Sequence, residues 1–509
     1  MADEIELKLR INRRHVTQLR QHPVILAATS GKPITRKLTS TYFDTPELTL
    51  LDTGINLRVR RMSGEWFQSV KGGGSVVSGL HQRLEWEDII AGDRPDFTKI
   101  LEPGLQKLFA DQALRDALKP IFTTDVRRTE WQLVFDNGDQ VELALDMGNL
   151  IVGSKKEPIC EIELELKAGK AGRLFELALQ LQQDIPLELE NVSKSQHGYE
   201  HYRKSTPKIV KSRLPALTKS MGASDAFKKI AWECLHHLQG NQAMVLHGND
   251  VEGVHQMRVA LRRLRSAIAV FRRVVGKEHC AAIVDELRWI TDTLGAARDL
   301  DVFITQTLPP VSAHLPQHPG LQLLHDKAIS DKKKAYAEVH AALNSQRYHR
   351  LILMLGDWLE NERWRQDGAP PIDLNVQELA RAMLGKRNKE LRLHGQRLVH
   401  MHPEERHETR IAAKKLRYAA EFFAGLYPAA KARAFNQSLA QLQDVLGVLN
   451  DIAVTENLIR RLIGPRPVRA LDEAFHIFNG WNGCNAMHGM AHMEAAWKKF
   501  AGATAFWRG

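Results

Sequence analysis

The residues best suited to chemistry are charges spaced two apart. Glu4-Ile5-Glu6-Leu7-Lys8-Leu9-Arg10 alternates charged with aliphatic side chains. So do Leu57-Arg58-Val59-Arg60, Arg83-Leu84-Glu85-Trp86-Glu87, Val141-Glu142-Leu143-Ala144-Leu145-Asp146 and Glu161-Ile162-Glu163-Leu164-Glu165-Leu166-Lys167. On a strand, residues two apart share a face. Carboxylates at that spacing repel one another unless a cation sits between them, and hard divalent cations such as Mg²⁺ take oxygen ligands of this kind. Clustered lysines and arginines suit the many oxygens of a phosphate chain. One such strand is most simply a sheet with one wet face. Five of them predict a barrel with a charged interior, acidic on one wall and basic on the other, which could hold a metal–polyphosphate complex.

A second constellation has helical spacing. In His255-x-x-Arg258-x-x-x-Arg262-x-x-Arg265 the charged side chains fall within an arc of about 80°. Leu261, Leu264, Ile268 and Phe271 take the opposite side. A shift of 152 residues carries His255, Arg258, Arg262 and Arg265 onto His407, Arg410, Lys414 and Arg417. The same shift carries Phe271 onto Phe423, and Asp292, Leu294, Gly295 and Asp299 onto Asp444, Leu446, Gly447 and Asp451. Such register over some fifty residues marks a duplication. The stripes are read as lacking acidic partners four residues on, so that their charges would repel without an anion. Two of them side by side would make one basic groove.

The elements that must hold these residues follow from the change of period. Residues 1–204 read as a strand-dominated α+β domain, with helical pieces around Leu105–Leu118 and Gly172–Gln183. A polar linker with Pro207 and Pro215 spans about 205–220. Residues 221–509 read as all-α, in two repeats at about 223–370 and 375–507, each a four-helix bundle. Charge divides in the same way. The first 204 residues hold 28 basic and 30 acidic side chains, a balance of −2, and the remainder of the +11 total, +13, lies beyond. The second half therefore faces an anion.

The first 204 residues resemble the CYTH superfamily, the triphosphate tunnel metalloenzymes. The ExExK signature is Glu4-Ile5-Glu6-Leu7-Lys8. It is followed in order by Tyr42-Phe43-Asp44-Thr45, Leu57 to Arg60, Lys71, Arg83-Leu84-Glu85, Arg128, Glu142 to Asp146, Glu161 to Glu165, and Ser193-Lys194 before Gly198-Tyr199. The resemblance implies an eight-stranded antiparallel barrel forming a tunnel. It implies Mg²⁺ or Mn²⁺ on Glu4, Glu6, Glu163 and Glu165, with the choice among Glu161, Glu163 and Glu165 open. Lys8, Arg58, Arg60, Lys71, Arg83, Arg128 and Lys194 would bind phosphate, assisted by Arg10. Lys8, Arg58, Arg60 and Glu85 would carry catalysis, Glu85 by orienting water or holding a second metal, with Asp146 in support. The helical half is similar to the CHAD domain through the two HxxR stripes and the segments Leu294 to Asp299 and Leu446 to Asp451. That resemblance implies inorganic polyphosphate as a partner.

The expected activity is hydrolysis of inorganic tripolyphosphate to pyrophosphate and phosphate. An organic triphosphate such as thiamine triphosphate or a nucleotide is the alternative, and a non-catalytic polyanion-binding protein a third reading. No aromatic residues interleave the basic stripes, so nucleic acid is not the expected partner. No apolar run approaches the roughly 18 residues of a membrane span. The acidic N-terminus is unlike a secretory signal, and four scattered cysteines suit a reducing compartment. The expected location is the cytoplasm, with polyphosphate granules as a site within it. The tail from Trp481 to Trp507 reads as a helix packed on the second bundle, with His488 and His492 as a lesser metal reading.

Overall fold

The computed structural model describes residues 2–204, 206–248, 250–365, 374–395 and 401–508, apart from the side chains of 2–3, 73–75, 82–84, 403–404, 448–451 and 488–491. Two compact units emerge: Met1–Pro207 with Asn344–Arg363, and Lys208–Leu343 with Trp364–Gly509.

The first unit is built on nine antiparallel strands: β1 (Ala2–Ile11), β2 (Ile34–Asp44), β3 (Ile55–Met62), β4 (Glu65–Val77), β5 (Leu80–Ile90), β6 (Lys119–Val134), β7 (Gln140–Val152), β8 (Lys155–Ala168) and β9 (Leu187–Leu189). Their order is β5-β4-β3-β2-β6-β7-β8-β1-β9, and β1 pairs with β5 as well. One edge of β1 takes β8 through Glu6–Arg10, and the other takes β5 through Ala2–Leu7 and then β9 through Leu9–Ile11. Eight strands thus close a ring, the number the resemblance implies, and β9 is a short addition to it.

Period two explains why the ring is polar within. The charged set of each strand shares one face, so the apolar set must face outward and be covered. Leu57, Val59 and Val70 pack outside with Phe43, Leu50, Leu105 and Phe109. Leu7, Leu9, Ile162 and Leu164 are fully buried, with helix Gly172–Asp184 lying over β1 and β8. That helix is covered in turn by helix Gln346–Glu360, which comes from within the stretch expected as the first helical repeat. The Leu189 N–H donates to His349 Nδ1 at 3.2 Å, and Glu176 accepts from Asn361 at 3.1 Å and from Arg363 at 2.5 Å. Burial pushes the His349 imidazole down to about 4, which leaves Nδ1 free to accept.

The second unit shows the duplication directly. A shift of 152 moves helix Glu252–Val270 to 404–422, where helix Pro403–Phe423 stands. It also carries helices Ala223–Gly240, Ala281–Val302 and Pro319–Leu343 onto Val376–Gly395, Ala429–Ile463 and Arg469–Ala501. In each set the helices pack in succession, first on second, second on third, third on fourth. The second helices of the two sets meet, with the equivalent rings of Phe271 and Phe423 5.7 Å apart. Helix Arg469–Ala501 contains most of the Trp-rich tail and packs along Ala429–Ile463. His492 is exposed, and the His488 side chain lies outside the described residues. No described helix is long and apolar enough to cross a membrane.

Candidate active site

The bore of the barrel is a cavity of about 280 Å³. Strands β2, β3, β4 and β6 give it Arg36, Arg58, Arg60, Lys71 and Arg128, while β7, β8 and β1 give it Glu142, Asp146, Glu163, Glu165, Glu4 and Glu6. One wall is basic and the other acidic. Lys8, Lys194, Glu85, Glu87 and Glu130 interrupt the pattern. Seven cations face nine carboxylates among the described lining residues, a formal excess of two negative charges (7 − 9 = −2).

Most of these charges are paired. Arg128 forks onto Asp146 at 2.8 and 2.6 Å and also contacts Glu163. Lys194 reaches Asp146 at 2.7 Å and Glu163 at 2.9 Å, and contacts Glu161. Lys8 lies between Glu163 and Glu6, 2.9 Å from the latter. Burial works against the Lys8 ammonium, but Glu163 and Glu6 outweigh it and hold its pKa above the ordinary value. Burial likewise opposes the Asp146 carboxylate, yet Arg128 and Lys194 bring it down to about 2. Asp146, Glu161 and Glu163 offer oxygens within 4.8 Å of one another. Lys8, Arg128 and Lys194 already pair with that trio, so a divalent cation there would have to displace them.

Two places in the bore are not balanced. Arg60 donates through Nε to Ser40 Oγ at 3.1 Å and has no carboxylate partner among the described residues. Burial, and then the guanidiniums of Arg58 and Arg128, push it down to about 10. Glu87 offsets them only in part, so a half-buried cation pressed by two others would gain from an anion beside it. The opposite imbalance lies on β7, β8 and β1. Glu165 stands across from Glu6 on one side and from Glu142 on the other. Burial holds its pKa up, and the Glu4 and Glu142 charges add to this beyond what Lys167, 2.6 Å away, offsets. Crowded hard oxygen donors with an excess of negative charge fit a divalent cation.

In the second unit the basic stripes occupy the second helix of each set. The Arg258 guanidinium donates to the Thr291 carbonyl at 3.2 Å, and a Cβ on Gly295 would stand 2.5 Å from its Nη1. At the equivalent place Gly447 faces Arg410 at 3.9 Å. The Leu-Gly segments therefore make room for the stripe arginines.

Residues 2–199 match the CYTH domain family, and residues 229–460 match the CHAD domain family. The chain carries a CYTH domain followed by a CHAD domain. An inorganic triphosphatase of Haemophilus influenzae is 34% identical over 200 residues, 39% of this chain and 55% of the relative. An uncharacterized protein of Mycobacterium tuberculosis is 29% identical over 217 residues, 42% of this chain and 41% of that protein. The chain thus spans about half the length of the curated relatives it matches. The crystal structure of the CHAD domain from the plant Ricinus communis is 33% identical with a TM-score of 0.53, covering 59% of this chain and 99% of its own.

The CYTH bore brings together Glu4, Glu6, Lys8, Arg58, Arg60, Lys71, Glu85, Arg128, Glu163, Glu165 and Lys194. Arg10 does not join them: it extends past the ring and pairs with Glu188 at 2.8 Å, its side chain 56% exposed. Glu161 does not line the cavity, whereas Glu163 and Glu165 do. The Arg83 side chain lies outside the described residues. Arg36, paired with Glu130 at 2.8 Å, is a lining cation the sequence reading missed. Leu38 and Ser40 share its face and hide the charge alternation, whereas Glu130, two after Arg128, could have been read.

In the CHAD domain the reading of acid-free stripes fails at Arg417. Glu421, four residues on, holds it at 2.9 Å, and Gln443 accepts a second bond at 3.2 Å. Glu421 also binds Arg263 of the opposite helix at 2.6 Å. Arg262, Arg265 and Lys414 line one cavity, joined there by Arg272, Lys277, Arg387 and Lys415, which the stripe did not include. His255 is half-buried, and burial together with Arg298 lowers its pKa.

Proposed function

We propose that the CYTH bore hydrolyses inorganic tripolyphosphate to pyrophosphate and phosphate with the aid of Mg²⁺ or Mn²⁺. The observation that carries this is the unbalanced Arg60, set among Arg58, Arg128 and Lys71 in a charged cavity. Arg58, Arg60 and Arg128 would grip the phosphoryl oxygens, and Lys8, Lys71 and Lys194 would exchange carboxylate partners for phosphate. Since the lining carries a formal excess of negative charge, the polyanion needs a divalent cation to enter. Glu4, Glu6 and Glu165, with Glu163 beside them, would hold that ion, which supplies charge neutralisation on the phosphate oxygens. Burial opposes the Glu85 carboxylate, but Lys71 and Arg58 at 2.9 and 3.1 Å keep it ionised. So held, it is a weak base, suited to orienting water more than to deprotonating it. A loose phosphoryl-transfer transition state asks for little more. The water oxygen bonds to the terminal phosphorus, the bridging P–O bond breaks, and the water proton leaves with the phosphate products.

The CHAD stripes, His255, Arg258, Arg262, Arg265 and their equivalents His407, Arg410, Lys414 and Arg417, are read as a polyphosphate receptor in the cytoplasm. The Ricinus domain's likeness supports the fold for this; the basic charge supports the ligand. Phosphate-release assays on Lys8→Ala and Glu4→Ala test the enzyme: activity is lost while circular dichroism stays native. Full activity in a Glu4→Ala/Glu6→Ala chain would remove the metal argument.

One observation favours an organic triphosphate as a second substrate. A cavity of about 260 Å³ shares Asn56, Ser193 and Ser195 with the bore and adds Leu48, Leu51 and Tyr199. Asn56 Oδ1 is buried there without a hydrogen-bond partner. Faster turnover of thiamine triphosphate or ATP than of tripolyphosphate would decide for that reading.

A further inference from the structure

The duplication of the CHAD domain is broken at one position, and a cavity opens there. Glu421 ties together Arg417 of its own helix and Arg263 of the opposite helix. Its equivalent 152 residues earlier is Ala269, and the equivalents of the two arginines are Arg265 and Lys415. All three line a cavity of about 570 Å³. Among the described residues, neither Arg265 nor Lys415 has a carboxylate partner. Arg262 Nε, also in the lining, is buried with no hydrogen-bond partner. Asp285 is the one carboxylate in the described lining, and Arg288 takes it at 2.7 Å. One side of the pseudo-symmetric pair therefore has its bridging carboxylate, and on the other Arg265 and Lys415 lack it.

The pocket is not simply basic. Ile268, Ile411, Val284 and the ring of Tyr418 form much of its wall, and Ile411 is 38% exposed. A bare phosphate chain would satisfy the cations and leave this wall in water. A volume of this size, apolar with a few convergent charges, is typical of small-molecule sites.

We propose that this cavity binds a phosphorylated small molecule with a flat apolar body, of the nucleoside polyphosphate class. Its phosphates lie on Arg262, Arg265 and Lys415, and its ring lies against Tyr418 and Ile411. The proposal rests on reading the CHAD stripes as an anion receptor; at Arg262 and Arg265 it puts a nucleoside polyphosphate in place of inorganic polyphosphate as the preferred ligand.

The test uses the full chain in EDTA, with ATP, tripolyphosphate and long-chain polyphosphate as probes. Binding is read by isothermal titration and by hydrogen-exchange protection of residues 262–272 and 411–418. Ala269→Glu places the second repeat's own residue in the first and supplies Arg265 and Lys415 with their missing partner. The expected result is that ATP protects these segments at least tenfold more tightly than tripolyphosphate. Ala269→Glu should abolish that difference, with tripolyphosphate hydrolysis, assayed separately in Mg²⁺, unchanged. Tyr418→Leu, which keeps every charge, should weaken ATP about tenfold and leave tripolyphosphate alone. Equal protection by ATP and tripolyphosphate would overturn the ligand class, as would wild-type ATP affinity in Ala269→Glu. Failure of all three anions to protect either segment would instead overturn the anion-receptor reading itself.

Discussion

Replacing Arg60 by methionine should stabilise the free protein and cripple the enzyme. The structure sets the size of both effects. Arg60 is pushed down from its ordinary value to about 10 by burial and by Arg58 and Arg128. That lowering corresponds to about 3 kcal/mol against the charged form, at about 1.4 kcal/mol per tenfold change. The side chain is cationic in both the folded and the unfolded chain at neutral pH. Its folded pKa is the lower one, so the charge costs stability at every pH below about 10, and the cost fades only as pH rises from there toward the ordinary arginine value. Methionine keeps the length, removes the charge and strands the Ser40 hydroxyl, at a cost of about 1 kcal/mol. The net gain is about 1–2 kcal/mol, or about 2–4 °C in melting temperature for each kcal/mol in a domain of this size. Turnover of tripolyphosphate should fall about 10²–10³-fold, the usual loss when a preorganised charge stabiliser is removed. Thermal unfolding of the first unit and phosphate release, measured on the same preparation, check the pair. An Arg60→Met chain that is less stable and still fully active would refute the reasoning.

Glu165→Gln should raise the metal concentration for half-maximal activity about tenfold without destabilising the free protein, since burial and the Glu4 and Glu142 charges already disfavour the carboxylate. Because its folded pKa is raised, wild type should need more metal as pH falls through that pKa, and the variant should lose this dependence; metal titrations at several pH values show it. Gly295→Ala places a Cβ 2.5 Å from Arg258 Nη1, and Gly447→Ala meets Arg410 only at 3.9 Å. The first should weaken polyphosphate retention several-fold more than the second, as read on a polyphosphate resin. Gly356→Leu drives a side chain into Phe175, 2.2 Å from the glycine's Cβ position. It should destabilise the CYTH unit by about 1–3 kcal/mol, with faster hydrogen exchange in β9 and helix Gly172–Asp184.

The barrel was legible because alternation was strict: Glu4, Glu6 and Lys8, then Arg58 and Arg60, each fix a face without knowledge of any partner strand. The duplicated bundles were legible for a similar reason, since a register of 152 survives in the helix boundaries themselves. What sequence hid was anything set by the third dimension. Arg10 keeps the period of β1, but beyond Leu7 the other edge of the strand pairs with β9 in place of β5. Glu161 shares the face of Glu163 and Glu165, yet only the folded sheet shows that it stays out of the cavity lining. Asp44, part of the family motif, is a turn anchor: it is fully buried and accepts backbone N–H bonds from Thr45, Leu50 and Leu51 at 2.7–3.0 Å. Helix Gln346–Glu360 has the same amphipathic period whichever unit it covers, so its place beside helix Gly172–Asp184 could not be read. Glu421 was visible four residues after Arg417, and its consequence for Ala269 needed the paired helices.

The most direct measurement of the central claim is phosphate release from tripolyphosphate, ATP and thiamine triphosphate, each with Mg²⁺, with Mn²⁺ and with chelator. Tripolyphosphate should be split to pyrophosphate and phosphate only when a divalent metal is present, and faster than either organic triphosphate. Release that persists in chelator, or none from any of the three, would contradict a metal-assisted triphosphatase in the charged bore.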